Sequence, residues 1–262
     1  MNSTRYILLT LLLGISTLAK SQIGDHRNDL SIGFSGGYMM SNVAFVPKAT
    51  QGMLGGKTFG FTARYVCEKY FNAICAVQLE LNYSQPGWKE SILSVDDEPC
   101  ILRETGEPAR YSRTLNYLQM PFLAHMGFGR EEKGFKFFVN AGPQFGLLLS
   151  EKTDQNFTIK YDKELDLPTI SSLDPRPASQ VVAQDTMAVE NKFDYGITAG
   201  LGLEMSMKRA GHVILEARYY YGLGNLYGDS KRDYFARSNI NSIVFRATYL
   251  FDIIRTKNIK RK

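Results

Sequence analysis

Between Arg113 and Gly129 the chain alternates with a period of two. Leu118, Met120, Phe122, Ala124 and Met126 fall on one face, and Tyr117, Gln119, Pro121, Leu123 and His125 on the other. One face is wholly apolar and the other is mixed, as a strand between lipid and a polar lumen requires. Pro121 in the middle excludes a helix, since it would break the hydrogen-bond ladder. A half-buried strand of a soluble sandwich alternates in the same way, so a single strand does not decide between the two.

Seven further segments repeat the pattern. Leu30–Ser41 sets Ile32, Phe34 and Tyr38 against Ser31, Gly33 and Ser35. Lys57–Cys67 sets Phe59, Phe61 and Tyr65 against Thr62 and Arg64. Ala73–Gln85 sets Val77, Leu79 and Leu81 against Gln78, Glu80 and Asn82. Phe135–Leu149 sets Phe137 and Val139 against Lys136, Asn140 and Gln144. Lys192–Met205 sets Ile197, Leu201 and Leu203 against Asp194, Thr198 and Glu204. His212–Tyr221 sets Leu215, Ala217 and Tyr219 against Glu216 and Arg218. Asn241–Phe251 sets Phe245, Ala247 and Phe251 against Arg246 and Thr248.

The connections separate the two folds. Glu68–Asn72, Arg130–Gly134 and Met207–Gly211 are short, whereas Asn42–Gly56, Pro86–Ser112, Ser150–Asn191 and Gly222–Ile240 are long. Strict alternation of short and long is the habit of outer-membrane barrels, and a sandwich has no reason for it. The pattern predicts an all-β, eight-stranded antiparallel up-and-down transmembrane β-barrel with short periplasmic turns and long external loops. Both termini are then expected in the periplasm.

Composition agrees. Fifteen Tyr, 16 Phe and 23 Gly suit aromatic girdles around a lumen that needs small residues. A mean hydropathy of −0.21 argues against a helical membrane protein but not against a barrel, in which only alternate residues meet lipid. Arg5, the apolar run Tyr6–Ile15 and Ala19-Lys20-Ser21 form a cleavable signal pattern. Residues 1–21 are therefore expected to be a signal peptide, 22–252 the barrel and 253–262 a basic periplasmic tail holding Arg255, Lys257, Lys260, Arg261 and Lys262.

Candidate chemistry is confined to the inward face. Arg64, Glu80, Glu204, Glu216, Arg218 and Arg246, joined by His125 and Lys136, are expected to pair, because an unpaired buried charge is costly. Arg218, Glu216 and Arg246 are expected in one cluster with Glu204. No catalytic residue, cofactor or metal ligand is expected: no serine is clearly placed beside His125, and no Cys-x-x-Cys or His pair exists. Cys67 and Cys75 flank a turn and are either bridged or incidental, and Cys100 has no obvious partner. Export leaves no role for nucleic acid, so the expected partner is outer-membrane lipid.

Four stretches resemble a known family. They are Asn116-Tyr117-Leu118-Gln119-Met120-Pro121, Val139-Asn140-Ala141-Gly142-Pro143, Phe193-Asp194-Tyr195-Gly196 with Gly200-Leu201-Gly202-Leu203-Glu204, and Glu216-Ala217-Arg218-Tyr219-Tyr220-Tyr221-Gly222-Leu223. In this order they resemble the PorT-like outer-membrane β-barrel family of Bacteroidota. The resemblance implies a non-enzymatic barrel with a structural or partner-binding role. It also implies secretion-machinery or other envelope partners, since the family's founding member is linked to type IX secretion. The alternatives are a small-ligand or ion site in the lumen or external loops, and a membrane-embedded hydrolase.

Overall fold

The computed structural model describes residues 25–255 apart from 71–72, 95, 130–133, 159, 163–166, 170–172, 176–186, 208–210 and 229–234. The expected signal peptide, residues 256–262 of the expected tail, and parts of the three short turns lie outside the described residues.

Eight long strands form one closed antiparallel ring: β1 (Asp25–Val46), β2 (Gln51–Tyr70), β3 (Ala73–Ser84), β4 (Arg110–Gly129), β5 (Gly134–Gln155), β6 (Phe193–Met207), β7 (Gly211–Gly222) and β8 (Arg237–Ile254). Each pairs with its neighbours in sequence, and β1 closes the ring on β8 through registers such as Phe34 with Tyr249 and Gly37 with Arg246. Closure leaves no open edge, so the ladder satisfies backbone groups that lipid could not. At the seam Gly33 lets the backbones approach closely, for a Cβ there would lie 1.8 Å from the Tyr249 carbonyl oxygen.

All eight strands anticipated from alternation are present, with the anticipated faces. Phe34, Phe61, Leu81, Phe122, Val139, Leu201, Leu215 and Phe245 are exposed around the outside. A contiguous exposed apolar band of this size has no place in water and marks the lipid-facing belt. Arg64, Glu80, His125, Lys136, Glu204, Glu216, Arg218 and Arg246 are buried inside.

The strands run further than the sequence reading placed them. Asn42–Gly56 is mostly strand rather than loop, because β1 continues to Val46 and β2 starts at Gln51. Beyond β3, Gly87–Ser91 is a further strand that pairs Trp88 with Arg113 and Glu90 with Tyr111 of β4. The expected tail begins later than residue 253, since Ile253 and Ile254 still belong to β8.

Along these extensions the parity is kept and the polarity of the two faces inverts. On β1 the inward side changes from Ser31 and Ser35 to Met39, Val43 and Phe45; on β4 Tyr111 and Leu115 point inward while Ser112, Thr114 and Asn116 point outward. Apolar-out becomes apolar-in where the strand leaves lipid for water. At this loop end the inward residues and the connecting segments close over the lumen in a second core. It contains Phe45, Trp88, Ile92, Cys100, Tyr111, Leu115, Phe157, Leu173, Val189, Tyr227 and Phe235. Phe45 packs on Trp88, Phe235 and Tyr227 with ring centroids 5.6, 4.7 and 6.2 Å apart.

Candidate functional site

The inward charges form two groups at different depths. In the first, Arg218 donates to Glu80 through Nη1–Oε2 at 2.9 Å and Nη2–Oε1 at 3.0 Å. It also donates to Glu216 through Nε–Oε1 and Nη2–Oε2, both at 2.9 Å. Arg246 Nη1 meets the same Glu80 Oε2 at 2.6 Å, and its Nη2 reaches Thr62 Oγ1 at 3.3 Å. Asn82 and Gln78 donate to Glu80 at 2.9 and 2.6 Å, and Asn140 to Glu216 at 2.7 Å. Two guanidiniums face two carboxylates here, so the group is neutral as a whole.

The second group centres on Glu204, lies closer to the turn end, and is separate from the first. Arg64 makes two contacts with it at 2.6 and 3.2 Å, Lys136 one at 3.2 Å, and His212 Nδ1 lies 2.7 Å away. His125 Nε2 stands off at 4.0 Å and its ring stacks on Phe138, with centroids 4.6 Å apart. Glu204 therefore does not join Arg218, Glu216 and Arg246 as the sequence reading placed it; Glu80, from the far wall, does. Facing rows within one strand are visible in sequence, whereas contacts across a lumen depend on strand tilt.

Sequence reasoning left His212 outside the charge network because it opens β7 beside a short turn. Its inward parity with Glu216 and Arg218 was the available signal. Its other nitrogen, Nε2, lies 3.0 Å from Asp252 Oδ1, which also accepts from Ser31 Oγ at 2.7 Å. Ser206 Oγ is 3.0 Å from Nδ1, so serine, histidine and aspartate stand in a row. The Glu204 carboxylate, closer to the same nitrogen, takes the place that a base activating Ser206 would need free. The cysteines at 67, 75 and 100 are free thiols.

The cap has its own polar skeleton, which sequence reasoning missed. Arg113 is buried and donates to Glu151 of β5 at 2.6 Å, to the Met187 carbonyl at 2.8 Å and to the Tyr227 hydroxyl at 3.1 Å. One side chain thus ties two strands to two connecting segments. Glu90 accepts from the Trp88 indole at 3.2 Å within the same core. Burial pushes its carboxyl up to about 7, against a smaller opposing pull from the indole hydrogen bond. Burial likewise pushes the Tyr227 phenol up to about 12.

Residues 20–228 match the family model described as "Outer membrane protein beta-barrel domain". Among solved structures the chain is similar to Ail, the attachment invasion locus protein of Yersinia pestis, at 14% identity over 84% of this chain and 98% of that one, with a TM-score of 0.32. It is similar to the outer membrane protein OprG from Pseudomonas aeruginosa at 13% identity, over 87% of this chain and 98% of that one, with a TM-score of 0.43. Neisserial surface protein A is similar at 8% identity, over 85% and 97%, with a TM-score of 0.38. No curated protein matches the chain. Because the family model spans well over half of the sequence and the described strands close into its barrel, the chain belongs to the outer membrane protein β-barrel domain family and resides in the outer membrane.

Proposed function

We propose that this protein is a non-enzymatic, closed barrel that acts through what binds its rims, with the loop end outside the cell and both termini in the periplasm. The observation that carries this reading is the filled interior. Two ion-pair groups occupy the lumen, and a packed apolar core covers it at the loop end. An eight-stranded barrel is just wide enough for its own side chains, so little space is left for solute passage. The flanked His212 gives no free base, which leaves the hydrolase alternative without a mechanism. The orientation draws on the three short turns at one end and the capped connections at the other. The PorT-like motifs supply a narrower form of the proposal, in which the partners belong to the type IX secretion machinery.

The test is photo-crosslinking in living cells from Ile101, exposed on the cap, and from Glu68 at the turn end. A discrete protein adduct from either rim is expected. Absence of any adduct from both rims would overturn the partner-binding role.

A second reading rests on Gln119 and Gln144. Both are buried on the inward wall of β4 and β5, and neither side chain makes a hydrogen bond among the described residues. They could hold a small polar solute above the Arg218 group. A co-purifying solute in the native mass of the folded barrel, lost in Gln119→Leu/Gln144→Leu, would favour it.

A further inference from the structure

The outer surface of β2 to β5, just beyond the lipid belt at the loop end, is polar in an unusually ordered way. Lys57 stands on the same face of β2 as Phe59 and Phe61, and in register beside Tyr38 of β1. Its carbonyl accepts from the Gln85 backbone at 3.0 Å. Gln85 Nε2 and the Tyr83 hydroxyl both donate to Asn116 Oδ1, at 3.0 and 2.8 Å, and Asn116 Nδ2 donates to Ser150 Oγ at 2.8 Å. Lys57, Gln85, Asn116 and Ser150 thus form one row across β2, the residue just after β3, β4 and β5. Lys152, opposite Thr114, stands one step higher, and Lys89, opposite Ser112, the next. The Lys89 stem lies along Gly52, where a Cβ would come within 2.8 Å of its Cε.

All three lysines are exposed, and none is in an ion pair among the described residues. Asp154, the anion sharing this face, is exposed as well, while Glu90 and Glu151 turn inward. Below the row lie Phe59, Leu81, Leu118 and Leu149, which belong to the lipid belt. A lysine fixed by strand parity at the rim of that belt extends its ammonium to headgroup level. We propose that this panel seats the headgroup of a phosphorylated glycolipid. The lysines would take the phosphates, and the Ser150, Thr114 and Ser112 hydroxyls the sugar oxygens. Charge complementarity selects an anion. The Gln85, Asn116 and Ser150 row, held by its own hydrogen bonds, together with the Thr114 and Ser112 hydroxyls above it, suits a headgroup with more hydroxyls than the two of a glycerol. The leaflet concerned rests on the orientation proposed above; the binding itself does not.

The experiment uses the full barrel folded in detergent and reads lipid adducts by native mass spectrometry. The probes are diphosphoryl lipid A, the same glycolipid without phosphates, and phosphatidylglycerol. A one-to-one adduct with diphosphoryl lipid A is expected. Lys57→Gln combined with Lys152→Gln should weaken it about thirtyfold, since each lysine at a lipid surface accounts for roughly a fivefold effect. Arg237→Gln, on β8 outside the panel, should leave the adduct unchanged. Undiminished binding by the double variant, or equal loss in Arg237→Gln, would overturn the site. Equal binding of the dephosphorylated glycolipid would overturn the phosphate contact. Equal binding of phosphatidylglycerol would overturn the assignment to a glycolipid. Partner crosslinking and conductance are read independently, so failure here is distinguishable from failure of the proposed function.

Discussion

Replacing Arg218 with leucine removes a guanidinium that makes four hydrogen bonds at 2.9 to 3.0 Å to two carboxylates. Glu80 keeps Arg246 at 2.6 Å, but Glu216 is left with the Asn140 amide at 2.7 Å as its remaining partner. The group passes from neutral to one excess negative charge. Removing one partner of a buried pair costs about 3–5 kcal/mol. With a typical urea dependence, a loss of about 3 kcal/mol lowers the unfolding midpoint by roughly 1–3 M. The heat-modifiable band of the detergent-folded barrel on gels reports that midpoint. The two possible second substitutions should behave differently. Arg218→Leu with Glu216→Leu leaves the Glu80–Arg246 pair intact and neutral, so much of the loss should return. Arg218→Leu with Glu80→Leu strands Arg246 from its carboxylate and should restore little. Equal rescue by both, or an Arg218→Leu barrel as stable as the parent, would refute the assignment of partners.

Glu90 predicts a pH dependence of the cap. Its folded value of about 7 lies above the ordinary 4.5, so the folded state holds the proton more tightly. Between about pH 4.5 and 7 the unfolded chain binds fewer protons, and cap stability should fall as pH rises, by up to about 3 kcal/mol. The groups facing Glu90 are Trp88, Gln51, Tyr111 and Tyr227. Trp88 is the only tryptophan, so its emission should shift red as denaturant is added, at lower denaturant at pH 8 than at pH 5. Glu90→Gln should abolish that difference, and a difference that persists would exclude Glu90 as its source. Gly33→Ala should prevent β1 from closing on β8, because the added carbon would sit 1.8 Å from a backbone oxygen; normal yield of the heat-modifiable form would contradict this. A protease site inserted after Asp97 should be cut on intact cells and one after Lys133 should not, and the reverse would invert the proposed orientation.

The barrel was legible because lipid outside and charge inside impose opposite demands on successive residues. Phe59, Thr62, Arg64 and Tyr65 could be assigned to faces without any knowledge of their neighbours. The cap was not read, although its signal was present. Met39, Val43 and Phe45 continue the two-residue rhythm of β1 with the apolar side reversed, and Gly87-Trp88-Lys89-Glu90-Ser91 repeats that reversal. Treated as loop, such stretches hide the point where strands leave the membrane. Partner choice in the lumen was a different matter. Glu80 of β3 meets Arg218 of β7, 138 residues away, because strand tilt brings them to one height. Parity within strands fixes which residues enter the lumen, not which of them meet.

Conductance across a planar lipid bilayer is the most direct measurement of the central claim that lumen and cap together close this barrel. The folded protein, inserted at a density confirmed by immunodetection, should leave the membrane silent at neutral pH. Reproducible unitary current steps from the parent protein would show an open path past Arg218 and Glu204, and would contradict the account.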